Sequence, residues 1–203
     1  MRSTIVLPSV LTLGVLISGC AGLRVGQEVQ AGRTALQTGR PGDAVAHLTR
    51  AAELDPTYTI HWRLRESVLT YLGRAYYETG KYEEARSTLE RALARDNDDH
   101  LARLYLGLTA LRSADRDRGR KDVEIALRAI HDWLDHVSSD ELSGIYWDPG
   151  RQIRSDVQMT LAGKLDAAEF IASAQRIGGK LDEEIDKARR DEARTRYGRG
   201  GDS

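Results

Sequence analysis

The single cysteine of this chain is the residue with the most distinctive chemistry. It is Cys20, and none of the other residues in the 203-residue sequence is a cysteine. One thiol cannot form an internal disulfide, and a structural metal site needs several ligands. A thiolate is the best side-chain nucleophile for alkylation, so the chemistry to expect is attachment of a group to the sulfur.

Two segments that combine histidine with aspartate are further candidates for metal binding or acid–base catalysis. In the segment HDWLDH, His131 and His136 are five positions apart and would point about 140° away from each other on a helix. The segment DNDDH, which begins at Asp96, resembles part of a calcium loop but lacks the glycine and the distal glutamate. We interpret the first segment as a polar helix end and the second as a turn in which Asp98 or Asp99 caps a helix.

The residues before Cys20 indicate export. A positively charged start is followed by an apolar run over residues 5–17 and then by the small residues Ser18 and Gly19. This is the layout of a secretory signal peptide, and the run is shorter than the roughly 20 apolar residues that span a bilayer. We therefore predict a signal peptide over residues 1–19, with a permanent anchor helix as the alternative.

The four residues Ile17-Ser18-Gly19-Cys20 resemble the lipobox of bacterial lipoproteins. The resemblance implies cleavage between Gly19 and Cys20, a diacylglycerol on the Cys20 sulfur and an acyl chain such as palmitate on the new amino terminus. No other cofactor is expected. Ala21 stands where an aspartate would imply retention in the inner membrane, so the resemblance implies an outer-membrane anchor facing the periplasm, or the cell membrane in an organism with one membrane. An ordinary signal peptide with an incidental cysteine is the alternative.

The composition predicts a near-neutral, all-α protein. The chain has 30 basic and 31 acidic residues, whereas a nucleic-acid-binding domain would carry a basic stripe. Strand-like alternation of apolar and polar residues is scarce. Three stretches instead repeat one pattern, in which small residues recur where two antiparallel helices would cross closely.

This pattern resembles the tetratricopeptide repeat. The clearest copy lies within residues 71–96 and contains Leu72-Gly73, and a second copy with Leu106-Gly107 follows at the 34-residue period of that family. In the copy upstream, Gly32 takes the glycine position, 41 residues before Gly73. The seven extra residues fall within residues 57–63. Apolar residues at every fourth position from there onward predict two added turns on the first helix of the middle repeat.

The resemblance implies a tetratricopeptide α-solenoid of about three helix-turn-helix repeats, followed by C-terminal helices. An apolar stripe from Phe170 to Ile185 predicts one of these helices, and Gly178-Gly179 should bend or interrupt it. The predicted divisions are the signal peptide over 1–19, a lipidated tether over 20–24, the repeats over 25–130, a C-terminal helical region over 131–195 and a disordered tail over 196–203.

In this family the first helix of each repeat lines a concave groove that binds extended peptides or partner helices. The resemblance therefore implies a partner-binding groove, and arginine and tyrosine are typical anchors of such interfaces. Its leucines would form an apolar patch if exposed, so we predict that the C-terminal helix or a partner covers them. The expected groove residues are Arg33, Gln37, Thr70, Arg74, Tyr77, Glu78, Leu101, Leu104, Tyr105 and Leu108.

These observations predict a membrane-anchored, non-enzymatic adaptor or scaffold of the bacterial cell envelope. We expect a membrane-proximal envelope protein as its partner, and neither nucleic acid nor a metal ion. Two alternatives stay open, and so does the oligomeric state. One is a structural homo-oligomer of the envelope. The other is an envelope enzyme with its active site around Tyr146, Trp147, Asp148 and Arg151.

Overall fold

The computed structural model of the chain describes residues 13–61, 65–113, 115–140 and 144–198. Most of the predicted signal peptide and most of the predicted disordered tail lie outside the described residues. The described residues are predominantly helical, which confirms the predicted all-α class. None of their helices is long and apolar enough to cross a membrane.

Three helical hairpins follow one another and stack side by side. They are formed by α1 with α2, α3 with α4, and α5 with α6, and two further helices follow them. The helices are α1 (Leu13–Gln37), α2 (Pro41–Leu54), α3 (Val68–Glu78), α4 (Tyr82–Arg95), α5 (His100–Leu111), α6 (Arg116–Ser138), α7 (Gln152–Leu161) and α8 (Ala167–Gly198). The other elements are the strands β1 (Thr59–His61) and β2 (Arg65–Ser67) and a 3-10 turn (Gly144–Tyr146).

The two helices of each hairpin meet at one glycine and one branched aliphatic side chain. A Cβ atom on Gly73 would lie 2.4 Å from Cγ of Leu89, so only glycine fits there. In the first hairpin Gly32 meets Leu48 in the same way, at 2.5 Å. These contacts join equivalent positions of the proposed repeats, and they confirm the register that the sequence predicts.

The third hairpin brings its two backbones into direct contact. A Cβ atom on Gly119 of α6 would lie 2.7 Å from the backbone nitrogen of Leu111 and 2.8 Å from the carbonyl oxygen of Gly107. Glycine lowers intrinsic helix stability by roughly 0.5–1 kcal/mol relative to alanine. At Gly119 this local cost is offset by the close crossing of α5 and α6, which a larger residue would prevent.

The extra residues between the first two repeats form a β-hairpin, so the prediction of two added helical turns is wrong. Strand β1 pairs antiparallel with β2, with Ile60 opposite Glu66. Helix α3 begins only at Val68, because the Ser67 side chain caps it by accepting a hydrogen bond from the backbone of Thr70. Aromatic and β-branched residues are frequent before this cap, and they favour extended backbone.

Helix α6 extends beyond the predicted end of the repeats at residue 130. The helix is 23 residues long, and its last two turns bury Leu134 and Val137. Trp133 also packs edge-on against Trp147, with ring centroids 4.9 Å apart. The HDWLDH segment therefore lies within α6, which continues to Ser138 because its apolar residues extend the buried face of the helix.

Helix α8 is continuous from Ala167 to Gly198, so the prediction that Gly178-Gly179 could interrupt it is wrong. The helix also runs through residue 198, past the predicted start of the tail at residue 196. Gly178 is placed where α8 crosses α5, and a Cβ atom there would lie 3.0 Å from the Tyr105 hydroxyl and 3.2 Å from Cδ2 of Leu104. This glycine serves close packing between helices and leaves the helix intact.

Candidate partner-binding groove

The first helices of the three repeats form a concave surface, and α8 of the same chain lies in it. Helix α8 contacts side chains of α1, α3 and α5. The ten predicted groove residues are buried, except that Gln37 and Glu78 are half-buried. The structure thus places an intramolecular helix where the sequence analysis expects a partner. The C-terminal helix α8 covers the predicted leucine patch, whereas the other predicted possibility was that a partner covers it.

Asp182 of α8 is the centre of a buried polar network. Its carboxylate is 0% exposed and accepts a hydrogen bond from the Arg33 guanidinium at 2.6 Å. Arg74 donates to its other oxygen at 3.2 Å, so this single carboxylate joins α1 to α3. The Gln37 amide nitrogen and the Tyr71 hydroxyl lie 3.3 Å and 3.2 Å from its oxygens. A buried carboxylate is tolerated only with this degree of pairing.

Asp186 lies one helical turn further along α8 and completes the pairing. Its two oxygens accept hydrogen bonds from Arg33 at 2.8 Å and from Gln37 at 2.9 Å. On the other side of the network, Arg74 also pairs with Glu78 at 2.7 Å. Both guanidinium groups therefore bridge two carboxylates, and charge-assisted bonds of this kind are stronger than bonds between neutral groups.

The β-hairpin supplies one more acid to this network. The Tyr71 hydroxyl donates a hydrogen bond to Glu66 of β2, which is 1% exposed. Burial, and then repulsion from Asp182, raise the pKa of Glu66 to about 8. The Glu66 carboxyl is therefore mostly neutral at pH 7, and the buried network gains no further negative charge from the hairpin.

Asp99 links the second and third repeats, and the prediction that it caps a helix is confirmed. Its carboxylate accepts a hydrogen bond from the backbone nitrogen of Ala102 at 2.8 Å, in the first turn of α5. The Thr70 hydroxyl of α3 donates to its other oxygen. Burial raises the pKa of Asp99 to about 6, although both hydrogen bonds oppose that rise.

The α5 side of the groove is apolar and aromatic. Tyr105 packs edge-on against Tyr77, with ring centroids 5.8 Å apart, and the Arg74 guanidinium lies 5.4 Å from the Tyr105 ring centroid. The surface of α8 that faces the groove is also apolar next to its aspartates. The buried apolar side chains of α8 are Phe170, Ala174, Ile177, Leu181, Ile185 and Ala188.

Comparison with known proteins agrees with this architecture. The sequence model of the tetratricopeptide repeat family matches residues 35–111, which extend from the end of α1 to the end of α5. The described residues therefore form an all-α solenoid of the tetratricopeptide-repeat type.

One curated relative is the TPR repeat-containing protein YpiA of Bacillus subtilis (strain 168). It is 33% identical over 96 residues, which are 47% of this chain and 21% of the relative. The chain therefore matches only about a fifth of that protein's length. No solved structure matches the chain significantly. Tetratricopeptide repeats point to a role in protein–protein interaction.

The sequence analysis missed four members of the solenoid's polar network: Glu66, Tyr71, Asp182 and Asp186. One signal for Asp182 was available. It lies beside Leu181 in the predicted apolar stripe of α8, and an acid within a buried stripe needs a partner of opposite charge. The arginines that pair with it were assigned to the groove, but nothing in their spacing connects them with α8.

The region considered for an active site serves structural roles around the start of α7. The Asp148 carboxylate accepts hydrogen bonds from the backbone nitrogens of Ile153 and Arg154, which lie in the first turn of α7. It also pairs with the Arg154 side chain at 3.0 Å. Trp147 is buried against Trp133, and Arg151 adopts a left-handed backbone conformation just before the helix. Asp148 therefore acts as a cap for the start of α7.

The histidines of the HDWLDH segment lie on the extended part of α6. His131 has Asp132 and Asp135 as neighbours, at 3.5 Å and 3.6 Å, and its other ring nitrogen lies 3.1 Å from the Gln158 amide. His136 is exposed. Within the described ranges, no three side chains of His, Cys, Asp or Glu are grouped closely enough to hold a metal ion.

The segment around Cys20 belongs to the first helix of the solenoid. Helix α1 begins at Leu13, so the backbone of the predicted tether over residues 20–24 is helical. Val25, the first residue after this segment, is 3% exposed and belongs to the hydrophobic core. A group attached at Cys20 would therefore be close to the folded solenoid.

Proposed function

We propose that this chain is a lipid-anchored, non-enzymatic adaptor of the bacterial cell envelope, which holds a partner protein close to the membrane. The observation that carries the proposal is the repeat solenoid itself, because tetratricopeptide repeats, which match residues 35–111, point to protein–protein interaction. Its groove holds α8 through two arginines, one central carboxylate and a close glycine crossing, so a partner would either displace α8 or bind another surface.

The chemistry of the groove supports an adaptor over an enzyme. Its ionisable side chains are engaged with one another: Arg33 and Arg74 with carboxylates of α8 and α3, and Asp99 with a helix start. A catalytic acid or base has to reach a substrate. In the groove, the ionisable side chains instead pair with one another and join the helices.

The first experiment asks whether Cys20 carries lipid. In the native host or a bacterial host, the wild-type chain should incorporate an alkyne-labelled fatty acid and fractionate with membranes. Cys20→Ser should abolish both, because no other residue of the chain is a thiol. Ser18→Ala keeps a small residue before the cysteine and should incorporate label normally. Label that persists in the Cys20→Ser variant would refute the anchor.

The second experiment locates the partner. A photo-crosslinking amino acid would be placed in intact cells at three exposed positions on different surfaces: Leu54 at the end of α2, Arg86 on α4 and Arg176 on α8. The same probe at the buried Tyr105 reports whether α8 leaves the groove. The adaptor proposal predicts one envelope protein captured from one of these surfaces. Crosslinks between copies of the chain alone would favour the structural homo-oligomer.

A further inference from the structure

Helix α8 reaches α1 at the end of the solenoid that carries Cys20. Asp182 and Asp186 contact Arg33 of α1. Further along α8, Arg189 lines an open cleft with Leu23 and Gly26, which come earlier in α1. Arg189 of α8 therefore lies closer to the start of α1 than Asp182 and Asp186 do.

The cleft brings Arg189 of α8 close to Cys20. Leu23 and Gly26 follow Cys20 by three and six residues on α1, which is about 5–9 Å at a rise of about 1.5 Å per residue. Helix α1 is continuous over this span. Arg189 therefore lies near the residue at which we propose a lipid anchor.

Over residues 187–194 of α8 and residues 22–26 of α1, every exposed charged side chain is basic. Arg189, Arg190 and Arg194 of α8 are exposed, and so is Arg24 of α1. The acids of the same stretch of α8, Asp191 and Glu192, are half-buried. We call the four arginines the basic end of the solenoid.

An apolar side chain accompanies this charge. Leu23 is 70% exposed and lies in the same cleft as Arg189 and the edge of the β-hairpin at Ile60. A large apolar residue next to exposed arginines matches the boundary between lipid headgroups and acyl chains, where basic groups meet phosphates and apolar groups enter the lipid.

We propose that the basic end binds the surface of a membrane that contains anionic phospholipids. The phosphates and acidic headgroups pair with the guanidinium groups, which suit phosphate because they can donate two parallel hydrogen bonds. This inference builds on the proposed anchor at Cys20, since that anchor brings the basic end to the lipid. The contact is a second point of attachment, and it stops the solenoid from pivoting freely about one residue.

The test uses vesicles and a chain without lipid. The processed chain, beginning at residue 20 and carrying Cys20→Ser, contains every described core residue. It should co-sediment with vesicles of phosphatidylglycerol mixed with phosphatidylcholine, and not with phosphatidylcholine alone. Binding should weaken as salt is added, because screening reduces attraction to an anionic surface.

Two matched variants assign the effect to the basic end. Replacing Arg189, Arg190 and Arg194 by glutamine should weaken binding at least tenfold, since each arginine near an anionic surface contributes about fivefold. The control replaces Arg86, Arg116 and Arg118, which are exposed in the first two turns of α4 and in the first turn of α6. Second helices of the repeats begin at the end opposite Cys20, so the control should bind normally despite the same loss of charge.

Three results would overturn the proposal: no binding to anionic vesicles, equal binding to both kinds of vesicle, or equal loss in both triple variants. Thermal unfolding of each variant checks that it is folded, and the salt dependence of the parent chain tests the proposal without any substitution at the basic end. Fatty-acid labelling at Cys20 is scored separately in cells. Failure of the anchor and failure of this surface are therefore distinguishable.

Discussion

The helices within a repeat and the helix in the groove are held by different kinds of contact. Within a repeat, a glycine faces a branched aliphatic side chain, as Gly73 faces Leu89, and no charge is involved. Between the groove and α8, Asp182 pairs with Arg33 and Arg74 in a setting from which water is excluded. Both interfaces are buried, yet one depends on shape and the other also on charge.

This difference determines how each interface should respond to change. A contact that depends on shape tolerates small adjustments of neighbouring side chains. The free-energy cost of a substitution there rises with the volume of the side chain that is added. A buried charge network depends on all its members, because removal of one leaves the others without partners in a low-dielectric interior. We expect the largest effects of substitution at the groove and smaller effects within the repeats.

The largest effect is expected from Asp182→Ala. The change leaves Arg33 and Arg74 buried without their shared carboxylate, and breaking a buried ion pair costs about 3–5 kcal/mol. Chemical denaturation of the processed chain measures the loss in free energy of unfolding. The matched control is Asp186→Ala, since Asp186 is 13% exposed and pairs with only one of the arginines. Equal losses in the two variants would show that the network has no centre at Asp182.

The contrast between the interfaces also explains what the sequence could predict. The contacts inside a repeat join residues close in sequence, and they recur at the same positions in each copy. Leu72-Gly73 and Leu106-Gly107 are therefore sufficient to set the register of the fold. The cap at Asp99 was predictable for the same reason, because a cap depends only on the residues that follow it.

The network and the hairpin could not be predicted because they depend on residues distant in sequence or on ambiguous patterns. Nothing local to Arg33 indicates that its partner is Asp182, and the groove could equally have been open to a partner. The apolar residues after Tyr58 fit a helical spacing, yet Ser67 ends the extended segment and starts α3. The glycines of α8 were interpreted by intrinsic propensity, whereas packing against Tyr105 decides their role.

The second prediction concerns the pH dependence of stability through Glu66. Its pKa is raised in the folded protein from 4.5 to about 8, so the folded state binds a proton that the unfolded state releases between these values. The stabilisation is complete below about pH 4.5 and is lost as the pH rises to about 8. We expect a decline of up to a few kcal/mol over this window.

Glu66→Gln tests this contribution, because a neutral amide cannot titrate. Unfolding free energies of the wild type and the variant should be measured across the window and subtracted. The wild type should lose stability relative to the variant as the pH rises. Asp99 also titrates in this range and interacts electrostatically with Glu66, so the difference between the two chains reports Glu66 together with its coupling to Asp99. A constant difference across the window would mean that Glu66 is ionised in the folded state.

The third prediction tests the contact of shape inside the third repeat. Gly119→Ala places a Cβ atom against the backbones of α5, at Leu111 and Gly107, where no side-chain rotation can relieve the overlap. We expect a loss of about 1–3 kcal/mol, the usual cost of overpacking. Thermal and chemical unfolding both measure it. An increase in stability would indicate that helix propensity outweighs the close crossing at this position.

The smallest effect, and one of opposite sign, is expected from Gly179→Ala. Nothing lies within 4 Å of a Cβ atom at this position, and it is in the interior of α8. Alanine should stabilise the chain by about 0.5–1 kcal/mol, because it lowers the conformational entropy lost on helix formation. The neighbouring Gly178→Ala makes the same local change at a position 3.0 Å from the Tyr105 hydroxyl.

If propensity alone governed these glycines, the two alanine variants would be equally stabilised. If α8 lies in the groove as described, Gly178→Ala should not stabilise the chain, because its new methyl group presses on the Tyr105 hydroxyl and on Leu104. The difference between two adjacent substitutions therefore reports docking of α8, independently of any charge. Equal stabilisation by both would mean that α8 is not held against α5 in solution, and the groove would then be open to a partner.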